Sequence, residues 1–407
     1  MCIRDSLETL LYMLSGMVDT LMLSSVNDQA VGAVGTANTY IGIFIIMFSV
    51  ISSGMVAVMT QNIGAGRPGV AYQARQLGLA FNAVLGVIMS LFLSLGAGTI
   101  LSGVGVADAL MQPAKTYLQI VGGFCILNAL IPICSSYLRA FGFSKEPLYA
   151  SIIGNVINFC LNAFFLFVLH KGVAGVATAT VISRIINLVI VVLLGAVLVK
   201  AKQHPERESN RAVMGQIIRI GLPSACETAI YNVSMTLVIR FLNQMDAQGL
   251  NVTARSYTMQ ITNFSYCVGA ALAQANAIMT GWHIGAKEYD ACDRGTKKAA
   301  VIGVIVAVIL ETVFTLCSGW IMQLFSKDPQ MVSLVGKLLA IDIVLEIGRV
   351  TNLVYGQALK TSGDAVFPVV MGACFMILCS VGGTYLFGIR LGLLAVGCLL
   401  YTSDAAD

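Results

Sequence analysis

Charge is what this 407-residue chain has least of. Asp, Glu, Lys and Arg make up 11% of it, where a soluble domain carries about 25%. One globular core of this size cannot hide that deficit; apolar residues fill 57% of the chain and the mean hydropathy is +0.84. Histidine is scarce too. His170, His204 and His283 stand apart at or near loops, so no histidine cluster offers itself to a metal or to acid–base chemistry. The chain has no Gly-x-x-x-x-Gly-Lys-Ser/Thr loop to cradle a nucleotide and no Gly-x-Ser-x-Gly elbow to present a nucleophile. No block of basic residues suits nucleic acid, the net charge being +4. Eleven cysteines are scattered, mostly inside apolar runs. Without paired metal spacing they read as small core residues rather than zinc ligands or disulfides.

Long apolar runs are what the chain does have. Twelve can be counted, at approximately 7–24, 31–60, 76–101, 116–141, 147–169, 173–199, 217–242, 252–281, 296–321, 331–358, 366–388 and 391–400. A run of about 20 residues spans the hydrocarbon as helix, and backbone groups in lipid must bond within their own segment. Runs this continuous lack the alternation of a membrane barrel. The pattern therefore predicts an all-α membrane protein of about twelve transmembrane helices, multi-pass in a cell (inner, cytoplasmic) membrane and surrounded by lipid. Basic residues set its orientation. Arg67, Arg75, Arg139, Lys145, Lys200, Lys202, Arg207, Arg211, Arg219, Lys287, Arg294, Lys297, Lys298 and Lys360 gather on one side. Lys115, Lys171, Arg255, Lys327 and Arg390 are left for the other. The richer side is the cytoplasmic one.

Both ends read as foreign. Met1-Cys2-Ile3-Arg4-Asp5-Ser6 is the translation of ATG TGT ATA AGA GAC AG, a transposase adaptor. Residues 398–407 translate its reverse complement read outward. Residues 1–6 and 398–407 are accordingly expected to be adaptor tags flanking a fragment truncated at both ends. Between them the reading is a six-helix lobe at 7–199, a cytoplasmic linker at 200–216 with Pro205, and a second six-helix lobe at 217–397. The lobes repeat. Ile63-Gly64-Ala65-Gly66 answers Ile284-Gly285-Ala286-Lys287, Pro147 answers Pro368, and Gly172-Val173-Ala174-Gly175-Val176 answers Gly392-Leu393-Leu394-Ala395-Val396. Six helices separate corresponding points, so the repeat is parallel, a plan that supplies two lobes able to rock about a central site.

Ionisable residues inside spans cost about 2.5–3.5 kcal/mol each on insertion scales, which makes each a candidate site member. Asp19 lies in the first span and Glu227 early in the seventh. Asp342, Glu346 and Arg349 follow at i, i+4 and i+7 along one face of the tenth. Glu346 and Arg349 fit a structural ion pair as well as a functional one. Arg240 reads as snorkelling to the outer surface, Glu311 as a protonated structural acid or a functional one, and Arg184 stays undecided. A carboxyl in a dry site can take up a proton on one side and release it on the other, hold Na⁺ with neutral oxygens, or attract a cationic substrate. Asn155, Asn158 and Asn162, at i, i+3 and i+7 of the fifth span, offer neutral oxygens on one face, and Thr178 and Thr180 can join them. Interhelical hydrogen bonding would use the same amides.

Together these segments resemble the multidrug and toxic compound extrusion family of bacterial efflux transporters. The resemblance rests on Val18-Asp19-Thr20-Leu21-Met22, on Gln61-Asn62-Ile63-Gly64-Ala65-Gly66, on Asn155 through Gly175, and on Glu346-Ile347-Gly348-Arg349-Val350-Thr351-Asn352 running on to Leu359-Lys360-Thr361-Ser362-Gly363-Asp364. It covers nearly all of residues 7 to 397. It implies a twelve-helix, two-lobe antiporter, not an enzyme, that exchanges H⁺ or Na⁺ for organic, often cationic, compounds as a monomer without a cofactor. Asp19 matches the family's first-helix acid of cation coupling, and Asn155 and Asn158 the amides beside it, so Na⁺ is expected at Asp19, Asn155 and Asn158 if sodium is the ion. Asn162 and Thr178 complete that set, while Glu227, Asp342, Glu346 and Arg349 make an acidic or substrate site in the second lobe. Asn162 stands where the family often has Asp, and Glu227 lies one turn before the corresponding acid of some members. Both departures leave the coupling ion open. The alternative transport reading is a lipid-linked oligosaccharide flippase of the same wider superfamily, which a cavity rich in Arg and Lys would favour. A membrane-embedded transferase would need clustered His or paired Asp motifs, and none is present.

Overall fold

A computed structural model describes residues 11, 22–23, 28–103, 108–199, 206–245, 250–323, 328–384 and 386. Among them there is no strand. The expected first span is described only at residues 11 and 22–23; the expected twelfth span and both terminal tags lie outside the described residues. Each of the ten expected spans between them is helical. The first six helices are α1 (Asp28–Gly64), α2 (Pro68–Gly103), α3 (Asp108–Tyr117), α4 (Ile126–Ala140), α5 (Lys145–Ala163) and α6 (Gly172–Leu198). They are followed by α7 (Asn210–Met245), α8 (Leu250–Gly285), α9 (Tyr289–Leu316), α10 (Ser318–Gln323), α11 (Pro329–Ser362) and α12 (Val366–Phe375). α3 runs on as a π-helical stretch over Leu118–Gly122, α5 over Phe164–Val168 and α12 over Met376–Gly382.

Five stretches, Ala30–Gly64, Pro68–Ser102, Lys145–Val168, Gly172–Leu198 and Tyr289–Leu316, are long and apolar enough to cross a membrane. Helices α7, α8 and α11 are as long, at 36, 36 and 34 residues, but interrupt their apolar runs with polar side chains. The outward surfaces of the apolar helices are those of a chain dissolved in lipid: Leu95 of α2 is 84% exposed and Leu316 of α9 81%. Many hydroxyls inside the spans are satisfied by their own helix, as where Thr60 donates to Val56 O at 2.8 Å and Thr312 to Val308 O at 2.7 Å. The cysteines depart from expectation. Cys125, Cys134 and Cys267 are buried, whereas Cys160, Cys226, Cys317 and Cys374 are exposed. A small apolar thiol suits a lipid-facing position as well as a core.

The fourth span is also not the single run expected. α3 with its π-helical turn and α4 meet at 43°, and the pair begins earlier, at Asp108. The bend falls after Gly122-Gly123, where two residues without side chains weaken helix continuity. Ser90 Oγ accepts the Ile126 amide at 3.0 Å, satisfying a donor that the start of α4 leaves open.

The internal repeat is visible residue by residue. The starts of α1 and α8, Asp28 and Leu250, are 222 positions apart; those of α2 and α9, Pro68 and Tyr289, and of α5 and α12, Lys145 and Val366, are both 221 apart. Left-handed turn residues recur at the same interval, Gly66 (φ 73°) with Lys287 (φ 61°) and Gly142 (φ 87°) with Gly363 (φ 108°). Glycine adopts this backbone freely; Lys287 does so at a steric cost.

The chain divides into two compact units between Leu222 and Pro223. The expected linker at 200–216 has no regular structure over residues 206–209 and is already helical from Asn210. Buried Gln73 explains where α7 begins. Its Nε2 donates to Glu208 O at 2.7 Å and to Asn210 Oδ1 at 2.6 Å, and its Oε1 accepts from Glu208 N at 3.0 Å. In the first unit a core forms around Phe48, Leu93, Tyr117, Leu118 and Ala177. In the second it forms around Val238, Met322, Val335, Leu338 and Leu339.

Candidate functional site

The second unit builds its site on α11. Spacings of four and seven residues put Asp342, Glu346 and Arg349 on one face, and the arginine reaches back along it. Its Nη1 donates to Glu346 Oε2 at 2.5 Å and its Nη2 to Asp342 Oδ1 at 3.2 Å. The carboxylates are sealed, with side chains 0% exposed at Glu346 and 3% at Asp342, while Arg349 is 13% exposed. Helix α8 contributes Ser265, whose Oγ donates to Glu346 Oε1 at 3.1 Å.

Helix α9 adds a third acid. Its buried face is Thr296, Ala300, Gly303, Ala307 and Glu311, a row of small residues ending in a carboxyl. Small residues let helix backbones approach. A Cβ on Gly303 would meet Leu272 Cδ2 of α8 at 2.6 Å and Val350 Cγ1 of α11 at 2.8 Å. That approach carries Glu311 to the acids of α11, and carboxylate oxygens of Glu311, Asp342 and Glu346 lie within 4.8 Å of one another. Neither Glu311 oxygen, nor Asp342 Oδ2, has a hydrogen-bond partner among the described residues.

Beside this cluster opens a cavity of about 680 Å³, within the usual range for small-molecule sites of roughly 300–1,000 Å³. Asp342 and Arg349 face it from α11, Glu227 and Tyr231 from α7, and Met259 and Tyr266 from α8. Lys360 Nζ stands 2.5 Å from Glu227 Oε2, the two side chains being 12% and 23% exposed. The structure thus gathers Glu227, Asp342 and Arg349 on one wall, with Glu346 behind.

In the first unit, α5 turns its amides inward as the spacing predicts. Asn158 is 5% exposed and Asn162 0%, and Asn162 Nδ2 donates to Asn158 Oδ1 at 3.2 Å. Asn155 Nδ2 donates to Leu11 O at 3.3 Å. Thr178 gives its hydrogen to Ala174 O of its own helix at 2.7 Å, which leaves only its lone pairs for a cation. Asp19, the acid expected to complete this set, lies outside the described residues.

Residues 6–164 and 223–386, one stretch in each half, match the family model MatE. The chain belongs to the MATE family. Uncharacterized transporter YisQ of Bacillus subtilis is 33% identical to it over 98% of this chain and 89% of its own length. The probable multidrug resistance protein NorM of Thermotoga maritima is 21% identical over 89% of this chain and 79% of its own length. Among solved structures, the outward-facing conformation of a multidrug resistance MATE family transporter of the MOP superfamily matches with a TM-score of 0.88 at 17% identity, covering 100% of this chain and 91% of that one. A MOP superfamily transporter from Pyrococcus furiosus, described by the reverse polarity of its binding pocket, matches with a TM-score of 0.88 at 18% identity, over 100% and 92% of the two chains.

Within this MATE chain three residues take places that sequence reasoning did not give them. Lys360, read as a cytoplasmic loop charge, lies in α11 and reaches into the cavity. Arg255, read as an outer-loop charge, is 6% exposed on α8 and lines the same cavity, its Nη2 at 3.4 Å from Met235 Sδ. Glu311, left open between structural and functional readings, joins the α11 acids. The available signal was that Glu227 and Glu311 are mid-span acids with no cation one turn away; such acids take their partners from other helices.

Proposed function

We propose that this MATE-family membrane transporter expels organic, often cationic, compounds across the inner membrane as a monomer, in exchange for H⁺ or Na⁺, by alternating access of its two lobes. The observation that carries this reading is the cavity of about 680 Å³ with Glu227 held by Lys360 and Asp342 by Arg349 on its wall. These carboxylates already have protein cations at 2.5 and 3.2 Å. A cationic solute or a coupling ion must compete with those cations for the same oxygens, so binding of one disfavours binding of the other. That mutual exclusion is the thermodynamic core of exchange. Tyr231, Tyr266, Met235, Met259 and Met376 give the wall polarizable apolar surface for varied organic bodies. In the first lobe, Asp19 with Asn155, Asn158, Asn162 and Thr178 would hold the coupling cation. Asn158 and Asn162 support this by their burial and mutual hydrogen bond.

The flippase alternative draws no support from the cavity's basic residues. Of the three basic residues on the wall, Arg349 and Lys360 are matched to carboxylates within 3.2 Å, and Arg255 is 6% exposed with its Nη2 against Met235 Sδ, so they do not form an open basic surface for an anionic cargo. The test is efflux of a fluorescent organic cation from proteoliposomes under an imposed H⁺ or Na⁺ gradient, with Asp19→Asn alongside. Gradient-driven efflux that is lost in the variant supports the proposal, and the effective gradient names the ion. Absence of efflux under both gradients, across several dyes and with folding verified, overturns it.

A further inference from the structure

We propose that the first lobe binds one anionic phospholipid, with its phosphate on Arg75 and one acyl chain in the groove between α2 and α6. The site uses none of the residues assigned to ion or solute, so it stands whatever the chain carries.

The groove follows from how three helices pack. α4 packs against α2 on one side and against α6 on the other. Gly86 lets α2 close on α4, because a Cβ there would meet Ile126 Cα at 3.0 Å. On the other side a Cβ at Gly195 of α6 would touch the Tyr137 ring of α4 at 3.7 Å. A groove of about 400 Å³ is left between them, with Arg75, Leu79 and Ala83 on the α2 wall, Leu188 and Val192 on the α6 wall and Cys134 on the floor. Val84 and Leu193 beside it are exposed, so the groove opens on the surface that meets lipid.

Arg75 is the one charged residue of this lining. Its guanidinium carbon lies 4.5 Å from the centroid of the Tyr137 ring and 5.9 Å from that of Tyr72. Tyr137 is itself held edge-on by Phe141, with ring centroids 5.1 Å apart. Stacking on a ring engages the face of a guanidinium and leaves its N–H edge for oxygen acceptors. Among the described residues no carboxylate pairs with Arg75, and its Nε is buried without an acceptor. A charge at an apolar surface without a partner is costly. A phosphate group supplies both the acceptors and the missing negative charge.

Depth places a headgroup at that point. α2 has 36 residues, about 54 Å of helix, against roughly 30 Å of hydrocarbon. Shared between its two ends, the excess is about 12 Å each. Arg75 comes seven residues after Pro68, about 10 Å in, which is the boundary between headgroups and hydrocarbon. From Arg75 to Ala83 the groove runs about 12 Å along α2, most of the roughly 15 Å depth of one leaflet. The lipid therefore lies as its neighbours do, in the leaflet on the basic, cytoplasmic side. Charge selects it. A zwitterionic headgroup brings its own cation to Arg75, and a cationic solute is repelled.

The full-length chain, purified in detergent and stripped of lipid, is titrated with phosphatidylglycerol or phosphatidylcholine. Bound lipids are counted by native mass spectrometry, with thermal melts alongside. Arg75→Met loses one bound phosphatidylglycerol or holds it at least about tenfold more weakly, equivalent to about 1.4 kcal/mol, while phosphatidylcholine binding is unchanged. Ala83→Phe fills the groove, keeps the guanidinium and loses the same lipid. Arg211→Met, which removes an exposed charge at the start of α7, retains it. Phosphatidylglycerol raises the melting temperature of the parent, and inorganic phosphate at the same concentration does not. If Arg75→Met fails to fold, Arg75→Lys keeps the charge without the stacked fork and weakens the lipid instead of losing it. Unchanged phosphatidylglycerol binding in folded Arg75→Met or in folded Ala83→Phe overturns the proposal. Equal binding of the two lipids by the parent, or a melt shift from inorganic phosphate matching that from the lipid, overturns it as well.

Discussion

Adding one methyl group at Gly221 should destabilise the first unit, whereas adding it six residues earlier on the same helix should not. A Cβ at Gly221 would stand 1.7 Å from Val50 O, and one at Gly54 would stand 1.9 Å from Ile217 O. Each glycine of the pair directs its Cα hydrogen toward a carbonyl of the other helix, a reciprocal arrangement of weak hydrogen bonds. Carbon–oxygen contacts of this kind settle near 3.3 Å or beyond, so a methyl at either site forces α1 and α7 apart by roughly 1.5 Å. The obstacle is a backbone carbonyl locked in a helix and cannot swing aside. Overpacking costs about 1–3 kcal/mol, and the two lost contacts add about 0.5–1 kcal/mol each. Gly215 has nothing within 4 Å of a built Cβ, so Gly215→Ala gains about 0.8–1 kcal/mol of helix propensity. Thermal melts of the detergent-solubilised chain followed by circular dichroism read the contrast. Gly221→Ala and Gly54→Ala melt several degrees below the parent, and Gly215→Ala at or above it. One helix separation relieves both methyls, so the double variant costs less than the sum of the singles. A Gly221→Ala melt matching that of Gly215→Ala would refute the close approach.

Lys287, held at φ 61°, should give about 1–2 kcal/mol of stability when replaced by glycine, while Gly66→Ala at the equivalent turn, φ 73°, loses a similar amount; paired thermal melts read both signs. Gln73→Ala strands the Glu208 backbone and the Asn210 side chain at a cost of about 1–3 kcal/mol. Arg67→Ala removes an exposed ion pair with Glu208 worth under about 1 kcal/mol, and high salt erases the smaller effect but not the larger. For the Glu227–Lys360 pair, Lys360→Met alone leaves a buried-side carboxylate without its 2.5 Å partner. Glu227→Gln with Lys360→Met should therefore be milder than Lys360→Met, giving a coupling of about 0.5–3 kcal/mol in a double-mutant cycle of unfolding.

Much of this fold can be read directly from the chain because lipid makes the rule simple. An apolar run of sufficient length becomes a helix, and each expected span from the second to the eleventh does. The repeat can be read too, since Gly66 and Lys287, or Gly142 and Gly363, mark turns that the backbone must make in both halves. Asp342, Glu346 and Arg349 were placed on one face by spacing alone, as a helix requires. What spacing cannot supply is the pairing of faces from different helices. Glu311 meets Asp342 because Gly303 and Ala307 admit a close helix crossing, and nothing local to residue 311 says which helix will cross there. Lys360 misled for a related reason. Its place near the end of a span is where a cytoplasmic charge belongs, yet its side chain points back to Glu227. The break after Gly122 was signalled by two consecutive glycines inside an apolar run.

The two acid groupings of the second lobe differ in how their charge is compensated. Glu227 has its own cation, Lys360, at 2.5 Å, so it stays compensated when the cavity holds no solute. Its exposure of 23% gives a solute access to it, and an incoming cation gains only the difference between itself and a lysine. Glu311 has no salt-bridge partner of its own among the described residues, and three acids gathered about one arginine leave two negative charges over when all are ionised. With all three acids ionised, that cluster carries a cost of several kcal/mol, which the Glu227–Lys360 pair does not. Arg349 touches both Asp342 on the cavity wall and Glu346 behind it.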